Sequence, residues 1–123
     1  MNSEIPQLAS GTQGRKGTMR AFICSPYRGD IEKNVKKAQE HARKAAMMGV
    51  SPIVPHLLFP QFLKEEDPGE RDLGIRLGLE QLAMCDELWV FGEEISQGMS
   101  KEISFAEERG IPIKYFSDCE EEM

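Results

Sequence analysis

Residues 87–102 read Glu87-Leu88-Trp89-Val90-Phe91-Gly92-Glu93-Glu94-Ile95-Ser96-Gln97-Gly98-Met99-Ser100-Lys101-Glu102. An unbroken apolar run gives way to a short acidic loop and then to a small-residue turn that opens a helix. An apolar strand that does not alternate is covered on both faces, which points to a parallel sheet with helices on either side. The turn brings two hydroxyls, free backbone N–H groups and one carboxylate together at the end of that strand. Open α/β sheets bind ligands at that end of their strands.

The same alternation extends in both directions. Met19 to Ser25 is a short apolar run closed by Pro26, Gly29 and Asp30, which predicts a buried strand and a turn. From Asp30 to Met48, Ile31, Val35, Ala38, Ala42 and Ala45 recur at steps of three and four, an amphipathic helix of about five turns. Gly49 is placed to end it. Ser51 to Val54 predicts a second strand stopped by Pro55. Residues 56–70 predict a long connection, broken by Pro60, Pro68 and Gly69, whose apolar segment Leu57–Leu63 packs as a flap or a partner surface. A second helix is expected over Glu70–Cys85, a third from the Ser96 turn to Arg109 with Gly110 as its stop, and a fourth strand over Ile111–Phe116. The order β-α-β-α-β-α-β, with right-handed crossovers, predicts a small doubly wound, Rossmann- or flavodoxin-like α/β sandwich on a four- to five-stranded parallel sheet.

Length and charge set the bounds. The 123 residues suit one domain, and a formal net charge of −6 argues against binding nucleic-acid polymers or anionic membranes, which need a basic face. No apolar run approaches the roughly 20 residues that span a bilayer. Cys24, Cys85 and Cys119 are odd in number, without CxxC spacing or a secretory leader, so a reducing cytoplasm is expected rather than a disulfide framework or zinc site. Residues 1–18, with three glycines and few apolar side chains, read as a flexible leader, and residues 117–123 as an acidic tail. The domain is then 19–116.

Three strand ends carry polar side chains. After the first come Ser25, Tyr27, Arg28, Gly29 and Asp30. The guanidinium of Arg28 suits phosphate or carboxylate, or else an ordinary surface ion pair. Gly29 allows a tight turn and close backbone approach. Asp30 fits the helix N-cap better than a catalytic role. After the second strand, His56 either meets a substrate hydroxyl or makes a structural hydrogen bond. His41 falls on the polar side of the first helix and is expected to face solvent. After the third strand, Ser96 or Ser100 must cap the helix. Glu102 then falls in its first turn, where the helix dipole predicts a normal or low pKa, suited to a nucleophile or charge stabiliser at a sugar carbon rather than to a general acid. Ordinary helix capping would select the same glutamate. Asp86 is expected to fix a turn, and Met47, Met48 and Trp89 to be core.

With those residues in view, the chain resembles the nucleoside 2-deoxyribosyltransferase-like superfamily, nearest a branch of small bacterial and phage domains. The likeness covers roughly residues 19–116. It is carried by Ser25-Pro26-Tyr27-Arg28-Gly29, by Pro52 with Pro55-His56, by Cys85-Asp86-Glu87-Leu88-Trp89-Val90, and by Ser96-Gln97-Gly98-Met99-Ser100-Lys101-Glu102 with Ala106 and Gly110-Ile111-Pro112. The related deoxynucleoside 5′-monophosphate N-glycosidases share the serine–glycine–glutamate spacing. The resemblance implies a nucleotide-processing hydrolase or transferase acting on the N-glycosidic bond of a nucleoside monophosphate or related ribosyl compound. Glu102 would be its catalytic carboxylate, Ser96, Gly98 and Arg28 its phosphate ligands, and His56 and Tyr27 the lining of the sugar or base. Ser25, Gly29 and Ser100 belong to the same expected pocket. No metal or cofactor is implied, and the family's habit predicts a homodimer or higher homo-oligomer. Two positions depart from the family pattern. The tyrosine that orients the glutamate falls at Phe22, and the aspartate that helps protonate the leaving base falls at Gly78, with Arg76 and Glu80 turned away on the helix. A binder that keeps the pocket without the reaction is the alternative.

Overall fold

A computed structural model describes residues 18–117. The leader and the acidic tail, but for residues 18 and 117, lie outside the described residues, as does Cys119. The chain runs β1 (Arg20–Cys24), α1 (Ile31–Met47), β2 (Ser51–Ile53), α2 (Pro55–Leu58), a 3-10 turn (Phe59–Gln61), α3 (Pro68–Ala83), β3 (Glu87–Phe91), α4 (Gln97–Arg109) and β4 (Ile113–Phe116). All strand pairs are parallel, in the order β2-β1-β3-β4, with Phe22 opposite Leu88 and Trp89 opposite Lys114. This is the α/β doubly wound sheet expected from the sequence. Among the described residues no helix is long and apolar enough to cross a membrane.

The two faces of the sheet explain why the strands lack alternation. Ala21, Ile23, Trp89 and Phe91 point to the α1 face and pack with Ala45. Phe22, Cys24, Leu88 and Val90 point the other way and pack with Leu82, Met99 and Ala106 of α3 and α4. Each of the two central strands, β1 and β3, therefore has two apolar sides to bury. His41 sits on the buried stripe of α1 with Ala38 and Ala45 and stacks on Phe91 at 4.0 Å, contrary to the expected solvent-facing position. The steps 38, 41, 45 continue the helical period, and a flat imidazole fits over a phenyl ring. Met47 and Met48 are exposed, not core, because α1 ends there and carries them past the edge of the sheet.

Helix ends follow ordinary capping chemistry. Asp30 Oδ1 accepts from Lys33 N at 3.3 Å, and Gly49 follows α1 in the left-handed region at φ +84°. Pro68 and Gly69 are not breakers. They form the first turn of α3, where proline loses nothing by lacking an N–H, and Asp67 caps them by accepting from Gly69 N at 2.9 Å. The expected long connection is largely folded as α2 and the 3-10 turn, so it forms a shelf beside α3. Leu63 packs near Gly74, while Leu58 and Phe62 remain exposed. Asp86 fixes the amino end of the sheet, away from the crevice, by accepting from Arg20 N at 2.8 Å.

Candidate functional site

Strand order decides where the site lies. From β1 the chain moves outward to β2, and from β3 it moves the opposite way to β4, so the loops after β1 and β3 diverge and open a crevice between them. A cleft of about 460 Å³ occupies that position. Of the nine residues singled out from the sequence, Ser25, Tyr27, Arg28, His56, Ser96, Gly98 and Glu102 line it. Gly29 and Ser100 do not. Gly29 turns the β1 loop at φ +98°, and Ser100 N donates to Ser96 O at 2.9 Å within α4.

The β1 loop is held from behind. Asn34 of α1 donates through Nδ2 to Tyr27 O at 3.2 Å and Arg28 O at 3.0 Å, which leaves the Arg28 side chain directed to the cleft. At the opposite wall, Ser96 is the N-cap of α4, its Oγ accepting from Met99 N at 3.2 Å. That resolves the choice between Ser96 and Ser100. Gln97 and Gly98, the first two residues of α4, line the cleft at a helix end whose N–H groups favour an anion.

Glu102 lies one turn further into α4 than its sequence position suggested, since the helix begins at Gln97 and its first turn holds no acidic residue. It is therefore beyond the strongest field of the helix end, and it is partly buried. Burial pushes its carboxyl up to about 7, opposed by a hydrogen bond from the Cys24 thiol, which favours the charged form. The expected normal or low pKa is thus corrected: desolvation outweighs the dipole. The Cys24 thiol is itself pushed up by burial and then by the Glu102 charge, and its Sγ also lies 3.9 Å from Met99 O.

Ser25 Oγ and His56 Nε2 are hydrogen-bonded at 3.0 Å. The histidine thus makes a structural bond and lines the cleft at once. Burial, and then the neighbouring His41, lower His56 to about 4, so the imidazole is neutral near pH 7. Tyr27 approaches its ring edge-on at 6.5 Å, and burial followed by the Glu65 charge raises the phenol.

Of the other lining residues, only Gly78 carries a signal in the sequence, as a departure from the family pattern. Arg71, Gly74 and Gly78 come from α3, Lys101 from α4, and Glu65 and Glu70 from the connection and the start of α3. Their sequence signature is that of any polar helix face, and only the packing of α3 against α4 turns it to the cleft. Gly78 is buried on the wall, and a Cβ there would meet Pro55 Cβ at 3.5 Å, an ordinary contact. Arg76 and Glu80 lie outside the cleft and face one another at 3.8 Å. Phe22 is fully buried among Leu82, Leu88 and Met99. Among the described residues no group of His, Cys, Asp and Glu is arranged to hold a metal ion.

Comparison with known proteins places the chain. The family described as "Domain of unknown function (DUF7768)" matches residues 19–116, and the chain belongs to it. No curated protein matches the sequence. Among solved structures, the 2-deoxyribosyltransferase of the psychrotolerant bacterium Bacillus psychrosaccharolyticus is similar, with a TM-score of 0.61 over 80% of this chain and 72% of that one. The sequence identity is 20%, so the likeness establishes a shared fold.

Proposed function

We propose that this DUF7768 domain, built on the fold of a deoxyribosyltransferase, is a nucleotide-processing enzyme that cleaves or transfers at the N-glycosidic bond of a nucleoside monophosphate or related ribosyl compound. It would form a branch beside the deoxynucleoside 5′-monophosphate N-glycosidases. The observation that carries the reading is the convergence of one partly buried carboxylate, Glu102, with an arginine and an anion-favouring helix end on a single cleft. Glu102 attacks or electrostatically stabilises C1′ as the bond to the base breaks and its electrons leave with the base. Arg28, Ser96 and the Gly98 N–H hold the phosphate, while Tyr27 and His56 flank the sugar or base. Ser25 fixes the orientation of His56 through their hydrogen bond. The chain works as a homodimer or higher homo-oligomer, with the exposed Leu58 and Phe62 of the shelf at the contact.

The test incubates the protein with deoxy- and ribonucleoside 5′-monophosphates, following free base by chromatography and binding by thermal shift. Base release is expected, falling by about 10³-fold or more in Glu102→Gln, with the thermal shift retained. A second reading, a binder that sequesters nucleotides, is favoured by Gly78, which leaves the wall without the carboxylate that would protonate a departing base. A thermal shift without base release in the native protein selects that reading. Neither effect across the panel defeats both.

A further inference from the structure

Arg71 and Lys101 stand on the cleft wall with Arg28, on three different elements, and the reading above gives work to Arg28 alone. Among the described residues none of the three cations takes part in an ion pair. Glu65, Glu70 and Glu102 line the same cleft, but among the described residues none forms an ion pair with these cations; Glu70 Oε1 accepts from Lys64 N at 2.7 Å and Glu65 stands by Tyr27. One phosphate on Ser96, Gly98 and Arg28 would leave Arg71 and Lys101 on the wall without a direct partner.

A second observation indicates where the extra charge lies. Lys101, Ile75 and Leu79 line not only the cleft but also a groove of about 530 Å³ between α3 and α4. That groove runs on to Phe105, whose ring carries the Arg109 guanidinium at 4.5 Å. Lys101, with Ile75 and Leu79, thus stands between the cleft and the groove, and a ligand chain leaving the cleft on that side passes the ammonium group.

We infer that the substrate carries a 5′-diphosphate rather than a single phosphate, with Arg71 and Lys101 taking the second phosphate and any group esterified to it lying in the groove between α3 and α4. The inference rests on the nucleotide reading of the cleft. Arginine supplies a planar fork and lysine a point charge, a pairing suited to a terminal or bridging phosphate.

The test measures dissociation constants, at fixed salt, for the 5′-mono- and 5′-diphosphates of adenosine, guanosine, cytidine, uridine and thymidine, and for the dinucleoside 5′,5′-diphosphate of the best base. The native protein should bind the diphosphate at least about tenfold tighter than the monophosphate. That ratio should fall to about twofold or less in Arg71→Ala and in Lys101→Ala, both checked for unchanged melting. A ratio near one, with the monophosphate bound, overturns this inference and leaves the nucleotide reading standing. A high ratio that survives both substitutions overturns the assignment to Arg71 and Lys101. No binding by any compound overturns the nucleotide reading itself. Tighter binding of the free diphosphate identifies a simple nucleotide as the occupant, and tighter binding of the ester identifies one whose second half fills the groove. Either supports the diphosphate.

Discussion

Glu102 must be charged to attack a sugar carbon, yet its surroundings favour the proton. With the carboxyl pushed up to about 7, turnover should climb as pH rises through that value and level off above it. A pH–rate profile checks this, and a profile flat from pH 5 to 8 would remove Glu102 from the nucleophile's role. His56, held neutral, cannot provide the opposing acid limb near pH 7. The missing acid leads to Gly78. Its position accepts a Cβ at ordinary contact distance from Pro55, so Gly78→Asp can carry a carboxyl on the cleft wall. Base release from ordinary nucleoside monophosphates should then rise, by up to about 10²-fold, the low end of general-acid catalysis. Single-turnover assays of the two proteins give the comparison.

At the scale of the element, α4 begins at the Ser96 cap and presents the proposed anion site at the same end, so Ser96 serves both. Ser96→Ala should cost about 1 kcal/mol of stability through the lost cap and weaken phosphate binding as well. Chemical denaturation measures the first effect and calorimetric titration the second. What could be read in the residues divides along the same lines. The strands and α1 were legible because unbroken apolar runs and a five-turn stripe are local signals. The Asp67-Pro68-Gly69-Glu70 start of α3 is legible in principle, as cap, proline and acidic first turn, but the same proline and glycine also read as a break. Helices of four and three residues, as in the shelf, are too short to display a period. The burial of Glu102 depends on Cys24, far away in sequence, and no local pattern records it. Arg71 and Lys101 read as solvated charges, and only the packing of α3 against α4 brings them to one cleft.

For the whole molecule, the two groups that titrate between pH 4 and 7, Glu102 and His56, act on stability in opposite directions. Glu102, raised from 4.5 to about 7, costs stability progressively as pH rises through that window, because the folded chain holds the proton more tightly. His56, lowered from 6.5 to about 4, costs stability at low pH, and the penalty fades as pH rises from about 4 to 6.5. Between about pH 6.5 and 7 only Glu102 of the two still titrates. Glu102→Gln should therefore melt higher than the native protein at pH 8, with the difference closing by pH 5. A series of melts across that range measures it, and equal melting at pH 8 would contradict the burial penalty. The group proposed to carry the chemistry is then also one that strains the fold.

Trp89 is the chain's single tryptophan, and it packs on the α1 face, its Nε1 donating to Glu87 Oε1 at 2.8 Å. The cleft opens on the other side of the sheet. The indole is thereby screened from any stacked purine or pyrimidine, so its emission follows loss of the packed interior without quenching by bound nucleotide. The molecule carries its own optical gauge of unfolding, insulated by one layer of backbone from the chemistry it would be used to study.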